Sequence, residues 1–535
     1  MSLKDVPKIP KLSEIPSDQV NPVVLNLLEI CHHFQELFHG LRDEIARLKG
    51  EKARPKIKPS KLEDDPKDKE KSEPKKPREI RKKTADLEIH DTIPLPPVGL
   101  PAGSRFKGYE YFTQQGIKIS LYNVLYKMER WITPTGEYLV GKLPAGVDGE
   151  HYNQPLRVYI LHQYYHCLVT QPLILEQIRE WGIKMSAGQL SAILIKDKEK
   201  YHAEKEDILR AGLETSSYVH VDDTGARHQG HNGYCTHIGN ELFAYFASTQ
   251  SKSRINFLEL LRAGADDYVL NEEALAYMRA QKLPQFLLDR LIGMGNKSIE
   301  CKEWSAFLAD LWIKDSRHIQ IATEGALLGS VLDHGINPNL AIVSDDAGQF
   351  DILRHGLCWI HAERVFVKLI GFDDAQRAAI EKVRTEIWDY YRELKAYKSS
   401  PDEEKKALLD AKFDEICATK TCFVSLNLAL QRMHRNKAEL LLVLERPELP
   451  LNNNLSERDI REYVKRRIIS GSTRSTDGRR CRDTFASLKK TSRKLGISFW
   501  DFLSARVSGR GDIAPLGELI RRHACAPTGC QPVGP

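Results

Sequence analysis

Three acidic residues lie in sequence contexts that suit metal-ion chemistry. Asp222 follows a short run of β-branched and aromatic residues, and Asp345 follows an apolar run, so each is predicted at the end of a β-strand. Glu457 lies in the first turn of a predicted amphipathic helix. Carboxylates that meet at one edge of a sheet can share a divalent cation such as Mg²⁺, which prefers hard oxygen ligands. Since the chain has 73 acidic residues, the context of these three is what distinguishes them.

Each context also has a purely structural interpretation. A carboxylate after a strand can cap the next helix, and this applies to Asp222 and to Asp345 taken singly. Glu457 and Arg461 can form an ordinary helix ion pair, worth about 0.3 to 0.5 kcal/mol. However, Glu457, Arg461 and Lys465 recur every four residues, and such a stripe can bind a metal ion and the phosphate beside it. The apolar side of the same helix is predicted to consist of Ile460, Tyr463, Val464 and Ile468.

The charge distribution favours nucleic acid as a partner. The chain has 535 residues, enough for about three to four folded units, and a formal net charge of +6. Residues 458–494 contain 13 basic and 4 acidic residues, and such a region attracts phosphates. Residues 51–83 contain 14 basic and 8 acidic residues and are almost free of aromatic ones, which predicts a disordered linker. This linker either holds phosphates through counterion release or is a solvated spacer.

The elements that carry the first two acids predict an α/β fold. Residues 218–247 have the pattern of three consecutive antiparallel strands, and a helix is predicted over 254–262. Residues 341–344 have the pattern of a buried parallel strand, reached through a helical run over 324–332. Three antiparallel strands with an acid on the first are the start of a ribonuclease-H-like mixed sheet. Its strand ends would bring Asp222 and Asp345 to one edge.

The third acid follows the second only after 112 residues, which is too long an interval for a minimal core of this kind. Residues 372–446 are predicted to be an all-helical insertion, because Ile380, Val383 and Ile387 have helical spacing. Extra helical material is also expected over 271–312.

Two segments near the start of the chain have recognisable patterns. Apolar residues from Leu27 to Leu48 follow steps of three and four, which predicts a coiled coil for self-association or a helix packed on its own domain. Short β-type runs, such as 117–121, alternate with Gly and Pro and predict a small β-rich module.

Two helices joined by a tight turn are predicted next. Pro172 suits the start of the first helix, Gly182 suits its end, and Ser186 with Gln189 forms a capping box for the second. This helix-turn-helix layout either reads DNA or is purely structural. The predicted segments are a coiled-coil helix (1–50), a basic linker (51–86), a β-rich module (87–150), a helix-turn-helix-like DNA-binding region (151–215), the first part of the catalytic core (216–371), a helical insertion (372–446), the second part of the core (447–505) and a C-terminal tail (506–535).

Three motifs occur in a fixed order. They are Val-Asp-Asp-Thr at 221–224, Ser-Asp-Asp at 344–346 followed by Cys-Trp-Ile-His at 358–361, and Asn-Asn-x-x-Glu-Arg-x-Ile-Arg at 453–461. In type and order they resemble the insertion sequence 66 family of bacterial DDE transposases. The resemblance covers residues 20–505 approximately, including the turn and helix over 182–194.

The chain departs from the family pattern at several positions. The family more often has Glu after its first Asp, Gly after its second and Asp before the Asn pair, where this chain has Asp223, Asp346 and Asn452. Because Asp223 and Asp346 are themselves acidic, they are alternatives to Asp222 and Asp345. The Cys-rich zinc module that many members carry is missing, so no metal finger is predicted.

The resemblance implies a DNA transposase that cleaves strands and transfers them by a DDE mechanism. Asp222, Asp345 and Glu457 would be the catalytic acids and would hold two Mg²⁺ ions, for which Mn²⁺ can substitute. The implied partners are double-stranded DNA, as terminal inverted repeats and as target, a second copy or more of the chain, and accessory proteins of the same element. The residues expected to position DNA phosphates are Arg458, Arg461, Lys465, Arg466 and Arg467.

Two other functions fit the same residues. One is a DNA-binding protein derived from a transposase that no longer cleaves, and the other is a metal-dependent nuclease without strand transfer. Cys358 and His361 have the spacing of half a zinc site, but no matching pair follows nearby, so a packing or hydrogen-bonding role is favoured.

The cysteines and the apolar runs predict the compartment. Ten scattered cysteines without a Cys-x-x-Cys pair indicate a reduced protein. No apolar run is long enough for a membrane span, and the first twenty residues lack a signal-peptide core. A bacterial cytoplasmic protein, associated with the nucleoid when bound to DNA, is expected.

Overall fold

The computed structural model describes residues 88–525, except 102, 118 and 296. The chain divides into two compact units, one formed by residues 26–122 and the other by the rest of the chain. The predicted coiled coil (1–50) and linker (51–86) lie outside the described residues. Within the described part of the chain, no helix is long and apolar enough to cross a membrane.

Residues 88–150 contain one regular element, a hairpin. Strand β1 (Arg130–Ile132) pairs antiparallel with β2 (Tyr138–Val140), and no other described residue of this segment is helical or in a strand. Of the β-rich module predicted over 87–150, the described residues therefore contain only this hairpin, and residues 117 and 119–121 are not in a strand. None of the described residues of the segment is buried. β-type residues form an extensive sheet only when another layer covers their apolar face, which is not the case here.

Four helices follow over the segment in which a helix-turn-helix-like region is predicted. They are α1 (Gln154–Tyr165), α2 (Gln171–Glu180), α3 (Ala187–Ile195) and α4 (Glu199–Thr215). In the turn between α2 and α3, Gly182 has a φ of 86°, a left-handed conformation that favours glycine. Ser186 Oγ accepts the Gln189 N–H and Gln189 Oε1 accepts the Ser186 N–H, so the predicted capping box is confirmed.

Three consecutive antiparallel strands follow α4 and confirm the prediction for 218–247. They are β3 (Tyr218–Gly225), β4 (Tyr234–Gly239) and β5 (Ala244–Thr249). Within this meander, Asp222 of β3 lies opposite His237 of β4, and Asp223 lies opposite Thr236. The two acids therefore point to opposite faces of the sheet.

The chain between this meander and the next sheet strand is mostly helical, as expected, but it also contains a small sheet. The elements are α5 (Arg254–Leu261), β6 (Asp267–Leu270), α6 (Glu272–Ala280), α7 (Gln285–Ile292), β7 (Lys297–Glu300), α8 (Trp304–Asp310) and α9 (Ser316–Asp333). Strands β6 and β7 pair antiparallel and form a separate two-stranded sheet. The buried helix α9 then leads back to the central sheet.

Two parallel strands complete the central sheet. They are β8 (Ala341–Ser344) and β9 (Arg354–Leu357), and the order across the sheet is β5-β4-β3-β8-β9. A short 3₁₀ helix, Gly348–Phe350, connects them. The five-stranded mixed sheet with helices around it confirms the predicted α/β class.

The interval between the second and third acids is helical. Its elements are α10 (Trp359–Val367), α11 (Asp374–Ser399), α12 (Glu403–Ala418), α13 (Val424–Arg435), α14 (Lys437–Leu440) and α15 (Leu442–Glu445). Helices α11 to α15 occupy the predicted insertion, 372–446. Its apolar side chains, among them Tyr390, Phe413 and Leu430, form a core of their own, distinct from the core around the sheet.

Four helices end the described chain. They are α16 (Asn454–Ser470), α17 (Thr476–Lys494), α18 (Phe499–Ser508) and α19 (Leu516–Cys525). The described part of the predicted tail, 506–525, therefore contains helix α19, and residues 526–535 lie outside the described residues. Leu516 and Ile520 of α19 are fully buried, and Arg521 pairs with Asp207 of α4 at 3.0 Å. An apolar stripe too short to stand out in the sequence thus packs as a helix.

Candidate active site

The first two predicted acids lie side by side on neighbouring parallel strands. β3 and β8 pair in register from Tyr218 with Ala341 to His220 with Val343. Two residues further along the same register, Asp222 stands level with Asp345. Asp345 is the residue that directly follows β8, at the carboxyl end where open α/β sheets bind their ligands.

Asp345 and its neighbour Asp346 have different surroundings. The Oδ1 atom of Asp345 is buried, and none of the described residues forms a hydrogen bond with it. Asp346 is exposed and forms an ion pair with Arg432 of α13. A buried carboxylate oxygen without a partner costs free energy unless a ligand satisfies it, so Asp345 is the stronger candidate for the second site acid.

Asp222 and Asp223 differ in the same way. Asp223 accepts hydrogen bonds from Thr236 Oγ1 at 2.5 Å and from Gln349 Nε2 at 3.0 Å. Burial is the main cause that raises the pKa of Asp222 to about 7; the carboxylates of Asp345, Asp223 and Glu457 act in the same direction, and one backbone hydrogen bond from Asp223 opposes them. Asp222 is therefore the first-strand acid whose charge is opposed by the two other predicted acids.

Glu457 lies in the first turn of α16 and faces cationic groups. Its Oε1 is 3.7 Å from His361 Nε2 and 3.8 Å from Arg364 Nη1, both on α10. Its Oε2 is 3.9 Å from Arg461 Nη2, so the helix pair anticipated from the sequence is present but long. The side chain keeps 22% of its surface exposed, and these loose contacts leave its oxygens open to another ligand.

Asn453 fixes the start of α16 against the rest of the site. Its side-chain amide donates to the Val221 carbonyl at 2.8 Å, and its Oδ1 lies 2.9 Å from His220 Nδ1, so both bonds reach β3. Its backbone N–H donates to Cys358 Sγ at 3.2 Å, at the start of α10. With only 1% of its surface exposed, Asn453 joins the strand of the first acid to the helix of the third.

The Cys-x-x-His segment has the hydrogen-bonding role that the sequence favoured. Burial raises the pKa of Cys358 to about 11, so the sulfur stays a thiol at neutral pH and accepts backbone N–H groups. His361 Nε2 lies 2.9 Å from Arg364 Nη1, and burial lowers the pKa of this imidazole. Among the described residues, no three His, Cys, Asp or Glu side chains stand close enough together to hold a metal ion.

The opposite side of α16 carries acids that the protein itself neutralises. Asp459 Oδ2 is 3.2 Å from His237 Nε2 and 2.8 Å from Lys494 Nζ. Ser456 Oγ, one turn earlier, lies 2.7 Å from His237 Nδ1. Although burial opposes it, His237 and Lys494 hold the pKa of Asp459 well below its usual range. These contacts lock α16 onto β4 and α17.

The five basic residues predicted to contact DNA divide into two groups. Arg458, Arg461 and Lys465 are exposed, and Arg467 is half-buried with its guanidinium bonded to the Gly225 carbonyl at the end of β3. The prediction that Arg466 contacts DNA phosphates is wrong, because only 6% of its surface is exposed.

Arg466 is buried against α1. Its Nη1 donates to the Tyr164 carbonyl at 2.6 Å, and its guanidinium lies 3.8 Å from the centre of the Tyr164 ring. Since it lies on the face of α16 that packs inward, it fastens two helices together instead of facing a phosphate. Ile468 departs from the sequence prediction in the other direction, since 77% of its surface is exposed.

Asn453, His237 and Gln349 have site roles that the sequence analysis did not assign. An Asn-rich stretch before a helix is typical of a helix cap, but the Asn453 side chain makes no capping hydrogen bond and binds β3 instead. A histidine within the apolar run 234–238 was the available signal for His237. Nothing in the local pattern distinguishes Gln349 from an ordinary loop residue.

Two comparisons with known proteins bear on this site. A family model described as "Transposase IS66 family" matches residues 342–480, a span that contains Asp345, Glu457 and helix α16. The protein named "Uncharacterized protein y4jO", from Sinorhizobium fredii, is 41% identical over 322 residues, which cover 59% of this chain and 100% of that protein. The site described above lies largely within the span that the family model matches.

Proposed function

The chain belongs to the IS66 family of transposases, and we propose that it cleaves DNA at the ends of a mobile element and joins the ends to target DNA through Asp222, Asp345 and Glu457. Family membership supports a DNA-processing enzyme in general. The DDE chemistry and the strand transfer are the proposal. The observation that carries it is the pair formed by Asp222 and Asp345, level on adjacent strands and not neutralised by the protein.

The sheet supports a ribonuclease-H-like core. Three antiparallel strands are followed by two parallel ones on the other side of the first, in the order β5-β4-β3-β8-β9. The first acid is on the central strand β3 and the second directly after β8. The third acid arrives on α16 after a helical insertion with its own core. This arrangement is the one that the resemblance to DDE transposases implies.

The donor set fits divalent cations. Asp345 offers a buried oxygen with no partner among the described residues, and burial, with the neighbouring carboxylates, raises the pKa of Asp222. Asp222, Asp345 and Glu457 would hold the ions, Mg²⁺ by preference, once their side chains draw together, because in the described residues they do not stand close enough to share an ion. Bound there, the ions would supply Lewis-acid chemistry for an in-line displacement at a phosphodiester.

The chain's own residues would position the substrate. Arg461 and Lys465, exposed on the same stripe as Glu457, would bind backbone phosphates without reading sequence. Asn453 would hold α16 against β3 and His237 would hold it against β4, so that the position of Glu457 relative to the two aspartates is fixed. Gln349 and Thr236 would hold Asp223 by hydrogen bonds and keep it out of the acid pair.

End recognition is assigned to the helix-turn-helix. In such motifs the first turn of the second helix contacts base edges in the major groove. Here Ala187, Gly188 and Gln189 open α3, and all three are exposed. A partner that covers them would meet small side chains and one amide, which suits close approach to DNA.

The test is strand cleavage with a matched pair of variants. Wild type, Asp345→Asn and Asp346→Asn are incubated with DNA that carries the element ends, in Mg²⁺ or Mn²⁺. Because ligand carboxylates contribute several kcal/mol to the transition state, Asp345→Asn should lower the cleavage rate by about 10³-fold, while Asp346→Asn should stay within about tenfold of wild type. Equal rates for wild type and Asp345→Asn would overturn the proposal.

The products decide between a transposase and a nuclease. A transposase leaves the element end covalently joined to target DNA, and a nuclease that acts on the same phosphodiester leaves only hydrolysed ends. Target plasmid is therefore added, and the joined product is measured by its size. Cleavage without joined product would favour the nuclease, and binding without cleavage in wild type would favour a DNA-binding protein derived from a transposase.

A further inference from the structure

Helix α16 ends in an exposed aliphatic residue within the most basic part of the chain. Ile468 leaves 77% of its surface exposed, whereas Ile460, two turns earlier, leaves 7%. A single exposed isoleucine is ordinary on a protein surface. Its position relative to the site acids is what gives it meaning.

Ile468 lies on the same stripe of α16 as Glu457. Eleven residues separate them, and at about 100° per residue the two side chains point within about 20° of each other. The rise of the helix puts them about 16 Å apart along its axis. Arg461 and Lys465 lie between them on the stripe, and both are exposed.

The end of α16 is held firmly in place. The guanidinium of Arg467 binds the Gly225 carbonyl at the end of β3. Beyond the helix, Thr473 donates its N–H to the Arg227 carbonyl at 3.2 Å and accepts the Gln229 N–H at 2.8 Å. The β3–β4 loop and the α16–α17 loop are therefore joined by hydrogen bonds. These bonds hold the end of α16, which carries Ile468, against β3.

The partner that this surface fits is a DNA duplex. Arg227 and Arg474, on the two joined loops, are exposed, as are Arg461 and Lys465 on the stripe. A polyanion would lie along these cations. If one of its phosphodiesters is at Glu457 and it follows the stripe, it reaches Ile468. Proteins that bend DNA insert single apolar side chains between base steps while cations hold the flanking phosphates.

We propose that Ile468 is a wedge that enters a base step of the element-end duplex about five base pairs from the phosphodiester at Glu457. The inference rests on the proposed function and adds the shape of the substrate: a duplex unstacked at one step. Unstacking there frees the strand that approaches the acids from the stiffness of the intact helix.

The experiment measures unstacking without cleavage. The full chain, in the Asp345→Asn background and in Ca²⁺, is mixed with end DNA that carries 2-aminopurine at single positions from three to seven base pairs from the cleavage site. The fluorescence of 2-aminopurine rises when its base is unstacked. A rise at one position, lost in Ile468→Ala, is expected.

Ile469→Ala is the matched control, because Ile469 is also exposed but points about 100° away from Ile468 around the helix axis. It should keep the fluorescence rise. In the active protein, Ile468→Ala should slow cleavage of intact end DNA by about tenfold, and a mismatch placed at the unstacked step should restore the rate. Ile469→Ala should change neither.

The outcomes separate this inference from the proposed function. Equal fluorescence in wild type and Ile468→Ala, or no rescue by the mismatch, would overturn the wedge even if cleavage occurs. Unstacking without cleavage in the protein with its native acids would support the wedge and overturn the proposed function. A change in oligomeric mass of Ile468→Ala in sedimentation, with unstacking retained, would overturn the wedge and assign the residue to a contact between copies.

Discussion

Helix α16 carries two sets of acids that the protein treats in opposite ways. On one side, Glu457 joins Asp222 and Asp345, where burial and neighbouring carboxylates raise the pKa of Asp222 to about 7. On the other side, Asp459 is held by His237 and Lys494. Both sets are shielded from solvent, so burial alone does not mark a functional acid. Asp222 and Asp345, whose charge the protein compensates least, are the acids proposed to bind a ligand.

Glu462 strengthens the contrast. It lies 3.0 Å from Lys489 and 2.9 Å from Lys490 of α17. Burial alone would raise the pKa of Glu462, but these two lysines lower it to about 2. Many of the basic side chains in 458–494 are therefore paired within the protein. The basic side chains that DNA can contact are the smaller number that are exposed, among them those on the stripe of α16.

The largest expected effect on stability is the loss of a compensated acid. Asp459→Asn should lower the free energy of unfolding at pH 7 by about 3–5 kcal/mol, because it leaves the buried Lys494 without its counter-charge and removes one of the two carboxylates that pair with Lys490. Urea denaturation at pH 7 measures it. Since the pKa of Asp459 is lowered in the folded state, this stabilisation is present above the ordinary pKa of aspartate and is lost as the pH falls below it. An unchanged free energy of unfolding in Asp459→Asn would contradict the contrast between the two sets of acids.

The loss of an uncompensated acid should have the opposite sign. Asp222→Asn should raise the stability of the metal-free protein by about 2 kcal/mol at pH 8, allowing for solvent screening of a half-buried group. Because the folded-state pKa of Asp222 is raised to about 7, the native protein loses stability as the pH rises from about 4 to 7. The difference between variant and wild type should therefore grow over that range and level off above it.

The same denaturation curves at pH 4 and pH 8 provide the check on Asp222. Asp346→Asn is the matched control, since that carboxylate is exposed and pairs with Arg432. Destabilisation by Asp222→Asn at pH 8 would show that the acid is structurally paired, and the assignment of the first site acid would be wrong.

The smallest expected effect is the stabilisation of the protein by a bound Ca²⁺ ion, which tests directly which set of acids binds a ligand. Ca²⁺, which binds oxygen ligands without supporting the reaction, should stabilise the wild type by about 1.4 kcal/mol at ten times its dissociation constant. Asp345→Asn should lose this gain, and Asp459→Asn should keep it despite its lower starting stability. Thermal unfolding with and without Ca²⁺ measures both. A calcium gain that persists in Asp345→Asn would place the ion elsewhere.

Local sequence patterns predicted the parts of the site that depend on one element. The strand ends at Asp222 and Asp345 followed from short apolar runs, and the turn before α3 followed from Gly182 and the capping box. The separate helical insertion followed from its length and helical spacing. These features depend on neighbours within a few residues, and such neighbours are visible in the sequence.

What the sequence could not predict depends on distant partners. Arg466 and Arg467 are adjacent and chemically identical, yet one is packed against Tyr164 and the other reaches Gly225. Asn453 matched a helix cap locally, but its partners are on β3, more than two hundred residues away. Which face of α16 turns inward is decided by β4, α1 and α17, so only the packed structure distinguishes these residues.

The position of the third acid also orders events during synthesis of the protein. Asp222 and Asp345 lie in the first two thirds of the chain, but Glu457 is made only after the insertion, and its helix is locked in place by α17, later still. A nascent or prematurely ended chain therefore carries an incomplete acid set. On the proposed function, the competence to cut DNA would therefore be acquired late in synthesis.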